Sequence, residues 1–169
     1  AYMNTKVQRS SATPSGAVTT TTAVVPKEQP KKDFIQIMEA HHPRYLATTC
    51  SSYPGDLYNK FVRAKEVKGT RFIHLAIPCP PGWGFATKDT VKLGRMAVEA
   101  GIVVLYEVDE GEFRLTGKSL NMARSGRKRP VEEYLTSQSR FKMMDEDAIA
   151  SFQKQVDERW DQLMRRAGF

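Results

Sequence analysis

The spacing of apolar residues along the chain predicts alternating strands and helices. Apolar runs favour strands at RYLATTC (44–50), RFIHLAIP (71–78) and IVVLYEV (102–108). Helical spacing fills the two gaps, from Pro54 to Gly69 and from about Thr87 to Ala100. A strand, helix, strand, helix, strand order implies right-handed crossovers and a parallel sheet.

Smaller elements flank this central pattern. Asp33 is a suitable cap for a short helix in which Phe34, Ile37 and Met38 share one face. The segment 79–84, CPPGWG, carries two prolines and two glycines, which argue against regular structure there.

The C-terminal part predicts a hairpin followed by helices. Residues 109–111 form a plausible turn, and EFRLT (112–116) returns as an edge strand. Pro130 starts a short helix, and Asp145 caps a long amphipathic one. The apolar stripe of the long helix favours core or subunit packing: Ile149, Phe152, Val156, Trp160 and Leu163. The fold class is therefore α/β, a largely parallel sheet flanked by helices with a C-terminal hairpin and long helix.

Composition supports a single globular domain. The chain has 169 residues, of which 40% are hydrophobic and 27% charged. Two cysteines exclude a disulfide framework. The longest strongly apolar run, 102–106, is far shorter than the roughly 20 residues that span a bilayer, and residues 1–22 do not resemble a signal peptide. We therefore expect a cytoplasmic protein with free thiols and no membrane association.

The N-terminal 32 residues are rich in Ser and Thr, with a TTTT run at 19–22. On composition alone this segment is consistent with a disordered linker. Its hydroxyls and backbone amides are equally suited to holding a phosphate.

The net charge of +7 comes mainly from one segment. Residues 113–131 contain six basic side chains and no acid: Arg114, Lys118, Arg124, Arg127, Lys128 and Arg129. A nucleic-acid-binding module is one interpretation, but no aromatic residue lies between Arg114 and Arg129 to stack on bases. A solvated loop, or a loop that attracts phosphates or an acidic partner, is the other interpretation.

Of the two cysteines, Cys79 is the better candidate for a metal ligand. It follows a strand at the sheet edge where parallel sheets bind ligands, and a Pro-rich loop would fix its orientation. The chain has no CxxC pair, so spacing alone leaves both a metal ligand and a packed thiol open. Cys50 is expected in the core. No HExxH, GxSxG or GxxxxGK[ST] motif is present.

Several longer blocks resemble one family. AYMNTKVQRSSATPSGAVTTTT, HLAIPCPPGWGF, LYEVDEGEFRLTG and RPVEEYLTSQSRFK are similar, in this order, to the beta subunit of 2-oxoacid:ferredoxin oxidoreductases of the pyruvate synthase group. The resemblance runs from Ala1 to about Trp160 and corresponds to the C-terminal half of such a subunit. Its upstream CxxC, further Cys and GDG segment have no counterpart, so we expect a fragment or a chain whose other half is supplied elsewhere.

The resemblance implies roles for particular residues within a thiamine-diphosphate-binding fold. The AYMNT segment matches a loop over thiamine diphosphate, in which the Ala1 carbonyl corresponds to a Mg2+ ligand and Tyr2 and Thr5 contact the cofactor. Asn4 corresponds to the residue at the thiazolium and substrate, and is the candidate catalytic residue. Cys79 matches the last of four ligands of the [4Fe-4S] cluster nearest the thiamine.

Lys6 departs from the family pattern, since pyruvate-type members commonly have Gly at this position. A lysine beside Asn4 could contact the carboxylate of a 2-oxoacid or a diphosphate oxygen, or could point to solvent. The departure bears on the substrate more than on the reaction.

The implied function is a partial beta subunit of an enzyme for thiamine- and coenzyme A-dependent oxidative decarboxylation of a 2-oxoacid such as pyruvate. Electrons would pass to the cluster and then to ferredoxin or another carrier, and alpha-, gamma- and delta-type subunits would complete the complex. A branched-chain, aromatic or other acid such as phenylglyoxylate is an alternative substrate. Three regions follow: a cofactor-loop segment at 1–32, an α/β portion at 33–116, and a basic loop with a helical extension at 117–169.

Overall fold

The computed structural model describes residues 12–19 and 23–169. In chain order the described elements are α1 Phe34–Glu39, β1 Tyr45–Cys50, α2 Pro54–Glu66, β2 Arg71–Ala76, α3 Pro80–Trp83, α4 Thr90–Glu99, β3 Tyr106–Asp109, β4 Glu112–Leu115, α5 Gly117–Ser125, α6 Glu132–Thr136 and α7 Glu146–Arg166. Short 3₁₀ turns at Thr87–Asp89 and Ser139–Phe141 complete the set. The predicted α/β class is confirmed. None of the described helices is long and apolar enough to cross a membrane.

The sheet is mixed, which corrects the expectation of a largely parallel one. Its strand order is β2-β1-β3-β4; β1 and β2 are parallel, whereas β3 runs antiparallel to both β1 and β4. The apolar run from Ile102 to Leu105 does not join β3. It connects α4 to β3, and its last two residues, Val104 and Leu105, are buried. There the Thr48 hydroxyl donates to the Val104 carbonyl, and the Leu105 N–H donates to the Ser119 hydroxyl at 2.8 Å. Hydrophobicity predicted burial of this run but carried no information about strand direction.

Two apolar clusters form most of the core. One joins α4 and α6 to the first half of α7 through residues such as Leu93, Tyr134 and Phe152. The other packs β1, β3 and β4 against the second half of α7, including Trp160. The long helix thus lies along both clusters, and the predicted packing role of its apolar stripe is confirmed.

The capping predictions are confirmed at both helices. Asp33 accepts from the backbone N–H groups of Ile35 and Gln36, each at 3.1 Å, and Asp145 accepts from that of Ala148 at 2.8 Å. The predicted inner face of α1 is partly wrong, because Ile35 is the buried residue and Ile37 is 42% exposed. A helix of fewer than two turns is oriented by what it packs against, so its apolar spacing did not define the inward face.

Part of the N-terminal segment is packed, which contradicts a disordered linker for residues 12–19. Ala12 and Ala17 are buried, and the buried Lys27 donates from Nζ to the Thr13 carbonyl at 2.7 Å. Ala17 belongs to the same apolar cluster as Phe141. The segment is therefore fixed against the C-terminal part of the chain.

Candidate functional site

Cys79 lies just beyond the end of β2, at the edge that the sequence predicted. Its backbone is extended, and its carbonyl accepts from the Trp83 N–H at 2.8 Å to begin α3. The prediction of no regular structure in this segment was wrong, since residues Pro80–Trp83 form one helical turn. The prolines stand at the first positions of the turn, where a missing N–H costs no hydrogen bond, and Gly84 ends it. The thiol of Cys79 is half-buried and free.

The cysteine loop, residues 79–85, is fixed against the Gln138–Phe141 segment. The Ser139 N–H donates to the Gly84 carbonyl at 2.9 Å. Gly84 has a φ of +71°, and a Cβ built on it would lie 1.8 Å from the Ser139 Oγ. Only glycine fits this close approach, so the loop conformation depends on Gly84.

Arg140 is the most unusual side chain beside this loop. It is 6% exposed, and its guanidinium lies 4.1 Å from the ring centre of Trp83 and 4.6 Å from that of Phe141. Nη2 donates to the Tyr134 hydroxyl at 3.1 Å. Nε and Nη1 have no hydrogen-bond partner among the described residues. Burial lowers the pKa of Arg140 to about 10, while the charges of Tyr134 and Cys79 oppose that shift, so the guanidinium stays protonated at neutral pH.

The backbone of Arg140 links the cysteine loop to the N-terminal segment. Its carbonyl accepts from the Val18 N–H at 2.8 Å. The predicted cofactor-loop segment and the predicted cluster ligand are therefore joined through one residue. Neither Arg140 nor Trp83 was among the residues singled out from the sequence, because no spacing rule marks a buried arginine between two aromatic rings.

The other predicted site residues, Ala1, Tyr2, Asn4, Thr5 and Lys6, lie outside the described residues. Their roles toward thiamine diphosphate, Mg2+ and substrate stay predictions. Of the candidate set, the structure places Cys79.

Cys79 fits the role of one ligand within a larger set. Across residues 12–19 and 23–169, no group of three or more His, Cys, Asp or Glu side chains could hold a metal ion. A [4Fe-4S] cluster would therefore need its other ligands from elsewhere. The half-buried Cys79 thiol could bind iron, and the unpartnered N–H groups of Arg140 could donate to the sulfur atoms of an anionic cluster.

Cys50 has a different environment, and its predicted core position is confirmed. It is 1% exposed, its Sγ lies 3.8 Å from the Gly94 carbonyl oxygen, and burial raises the pKa of its thiol. Gly94 of α4 passes so close that a Cβ there would lie 3.2 Å from the Cys50 Sγ. This thiol is packed too tightly to bind a metal.

Another buried charged group, Lys60 with Asp56, is fully hydrogen-bonded. Lys60 Nζ donates to the Thr48 carbonyl, the Asp56 carboxylate and the Thr116 hydroxyl, each at 2.7 Å. Asp56 also accepts from the Thr49 hydroxyl at 2.7 Å. With no unused donor on the ammonium, this cluster ties α2 to the sheet and offers nothing to a ligand.

The basic segment is more structured and better compensated than the sequence suggested. Residues Gly117–Ser125 form α5, so part of the predicted loop is helical. Four of its six basic side chains are in ion pairs: Arg114 with Glu107 and Asp109, Lys118 with Glu99, Lys128 with Asp157, and Arg129 with Glu99 and Glu133. In the described part of the chain, Arg124 and Arg127 are the exposed bases of the segment outside these pairs.

Comparison with known proteins identifies relatives over nearly the whole chain. It is 44% identical over 94% of its length to the pyruvate synthase subunit PorB of Methanocaldococcus jannaschii. This chain is homologous to the beta subunits of 2-oxoacid:ferredoxin oxidoreductases. The ketoisovalerate oxidoreductase subunit VorB of Pyrococcus furiosus is 38% identical over 99% of the chain, and PorB of Thermotoga maritima is 36% identical over 96%.

The match covers only part of each relative. The chain spans 53%, 54% and 51% of the lengths of these three relatives. No model of a known protein family matches the chain. The predicted family resemblance is confirmed.

Proposed function

We propose that this chain is part of a subunit of a 2-oxoacid oxidoreductase that works with partner subunits in the coenzyme A-dependent oxidative decarboxylation of a 2-oxoacid. The observation that carries the proposal is the homology to PorB and VorB subunits along nearly the whole chain. The position of Cys79 supports it, because the half-buried thiol lies at a fixed loop beside a buried cation.

Thiamine diphosphate, when bound, supplies the electron sink for loss of CO2. In the proposal the Ala1 carbonyl helps to hold Mg2+ at the diphosphate, Tyr2 and Thr5 bind the cofactor, and Asn4 orients the substrate. Cys79 contributes one thiolate to a [4Fe-4S] cluster that passes electrons to ferredoxin or a similar carrier. The glutamate that activates the aminopyrimidine ring of thiamine comes, in the family that this chain resembles, from a partner subunit.

The substrate proposed first is pyruvate, since relatives that are 44–45% identical to this chain are named pyruvate synthase subunits. A branched-chain 2-oxoacid is the second candidate, because VorB subunits named for ketoisovalerate match 99% of the chain. Lys6, proposed beside the substrate, bears on this choice, because pyruvate-type members of the family commonly have Gly at this position.

The test is purification of the native assembly, with iron and thiamine quantified. A panel of 2-oxoacids is then assayed for coenzyme A-dependent dye reduction. We expect bound thiamine, several clusters and turnover of pyruvate or a branched-chain acid. An assembly without thiamine and iron would contradict the proposal.

Cys79→Ala in that assembly should remove the iron of one cluster and abolish electron transfer, while thiamine remains bound. Cys50→Ala is the matched control and should keep the full iron content, because its sulfur lies in the core. Full iron in the Cys79 variant would contradict the ligand assignment.

Asn4→Ala should lower turnover with little effect on assembly, because the residue is proposed to act on the substrate. The assay compares kcat with the subunit composition of the purified complex. Loss of assembly in parallel with loss of turnover would contradict a substrate-orienting role.

A further inference from the structure

The guanidinium of Arg140 is buried with only part of its hydrogen-bonding capacity used. A buried N–H without an acceptor costs free energy, and more so on a charged group. In the described part of the chain, Nε and Nη1 lack acceptors, and Arg140 takes part in no ion pair. Such a group implies an anionic acceptor that these residues do not themselves provide.

The surroundings of Arg140 restrict where that acceptor lies. The rings of Trp83 and Phe141 face the guanidinium, and the Tyr134 hydroxyl accepts a hydrogen bond from Nη2. Trp83 also donates its backbone N–H to the Cys79 carbonyl, so the ring that packs on the guanidinium belongs to the cysteine loop. Tyr134 already accepts the hydrogen bond from Nη2, so Nε and Nη1 require a further acceptor next to the cysteine loop.

The cysteine loop and Arg140 are also rigidly connected. Trp83 belongs to the turn that Cys79 begins, and Ser139, next to Arg140 in sequence, donates to Gly84. A stacked guanidinium has few alternative rotamers, so its donors keep a constant position relative to the loop. This is the arrangement expected of a residue that orients and stabilises a charge at Cys79.

We propose that Arg140 is a positioning residue for the anionic sulfur group bound at Cys79, to which it donates N–H groups from Nε and Nη1. The inference rests on the proposed function, in which that group is the thiolate and sulfide sulfur of a [4Fe-4S] cluster. Positive charge and hydrogen bonds to cluster sulfur stabilise the more negative, reduced state. Arg140 therefore raises the reduction potential of that cluster.

The experiment is a redox titration, followed by electron paramagnetic resonance, of the assembled complex containing the full set of subunits. The signal of the relevant cluster is identified as the one that Cys79→Ser alters or removes. Arg140→Gln should retain this cluster and shift its reduction potential to lower values. Arg165→Gln, which removes the same charge from an exposed position at the end of α7, is the matched control and should leave the potential unchanged.

Arg140→Lys provides a second variant that keeps the charge but loses the planar set of donors. We expect a smaller decrease in the reduction potential of the cluster than in Arg140→Gln. If Arg140→Gln does not assemble, the reduction potential of Arg140→Lys tests the inference. A purely structural role would lower iron content or thermal stability without moving the potential of the clusters that remain. A wild-type reduction potential in variants with intact iron would overturn this inference but leave the proposed function standing. Absence of a Cys79-dependent cluster in the wild-type complex would overturn the proposed function, and the inference with it.

Discussion

Lys60 and Arg140, two of the buried cations in this chain, differ in how completely their hydrogen-bond donors are used. Lys60 is 1% exposed and has an acceptor for each of its three N–H groups, one of them the Asp56 carboxylate. Arg140 has one protein acceptor in the described residues. The difference separates a structural ion pair from a group that we assign to a ligand.

Lys60→Met should destabilise the protein by about 3–5 kcal/mol, because it leaves the Asp56 carboxylate buried without its counter-charge. Adding Asp56→Leu should recover much of that loss, since removing both charges removes the desolvation cost. The free energies of unfolding come from urea denaturation followed by tryptophan fluorescence. Additive losses in the double variant would show that the pair is not coupled.

His74 should make stability depend on pH. Burial and the nearby charges of Lys31 and Arg159 lower the pKa of His74 to about 4, from 6.5. The unfolded chain takes up this proton near pH 6.5 and the folded chain does not, so stability falls as the pH drops from 6.5 to 4. The loss attributable to His74 is on the order of 3 kcal/mol.

Denaturation midpoints at pH 7 and pH 4.5, for the wild type and His74→Gln, check this expectation. The variant should show a smaller loss across that interval, because glutamine does not titrate. The same loss in both proteins would assign the acid sensitivity to other groups.

At the residue scale, sequence reasoning located Cys79 and Cys50 correctly and missed Arg140. Cys50 is the last residue of β1 and Cys79 lies just beyond β2, so their environments depend on local pattern. Arg140 gains its environment from Trp83, far away in sequence, and from Val18, which is farther still. Contacts of this kind depend on the tertiary fold and leave no periodic signal.

The β3–β4 hairpin is the element in which turn chemistry is clearest. Its two turn residues, Glu110 and Gly111, have φ values of +50° and +92°, as a two-residue turn with both central residues left-handed requires. The sequence predicted this hairpin because Gly stands at the second turn position. It did not predict that a glutamate would adopt the first.

A pair of Gly→Ala variants separates backbone strain from packing. A Cβ at either Gly111 or Gly55 meets nothing within 4 Å. Gly111→Ala should cost about 1 kcal/mol because of its positive φ, whereas Gly55→Ala, within α2, should stabilise by about 0.5 kcal/mol. Thermal denaturation of both variants measures the two effects, and equal shifts would contradict the conformational explanation.

The elements themselves were largely predictable, and their pairing was not. The four strands lie within or close to their predicted segments, and α7 begins after its predicted cap, Asp145. The predicted direction of β3 was wrong because residues 102–105, which were expected to begin the strand, instead form the connection from α4. In this connection the Val104 carbonyl accepts from the Thr48 hydroxyl, and the Leu105 N–H donates to the Ser119 hydroxyl.

For the molecule as a whole, the net charge of +7 overstates the cationic surface of the basic segment. Most of its basic side chains form ion pairs with acidic residues of α4, α6, α7 and β3. These ion pairs neutralise the basic charges and link the segment to those elements. Exposed ion pairs contribute little individually, but they lower the field available to a distant polyanion.

The double variant Arg124→Gln with Arg127→Gln tests whether the remaining charge steers a ligand. If it attracts coenzyme A phosphates or an acidic carrier, the KM for coenzyme A should rise, or carrier reduction should slow, at low salt. The difference should vanish at high ionic strength, because salt screens exposed charges. Kinetics identical to the wild type at every ionic strength would dispose of the idea.

Because Cys50 is packed against Gly94, thiol labelling of the folded chain reports on Cys79. A thiol that is 1% exposed and has a raised pKa reacts slowly with maleimides, so only Cys79 should be labelled in the folded chain. Mass spectrometry should find one modification when the cluster is absent and none when it is present. Counting the label would thus reveal the fraction of molecules that carry a cluster without any measurement of iron.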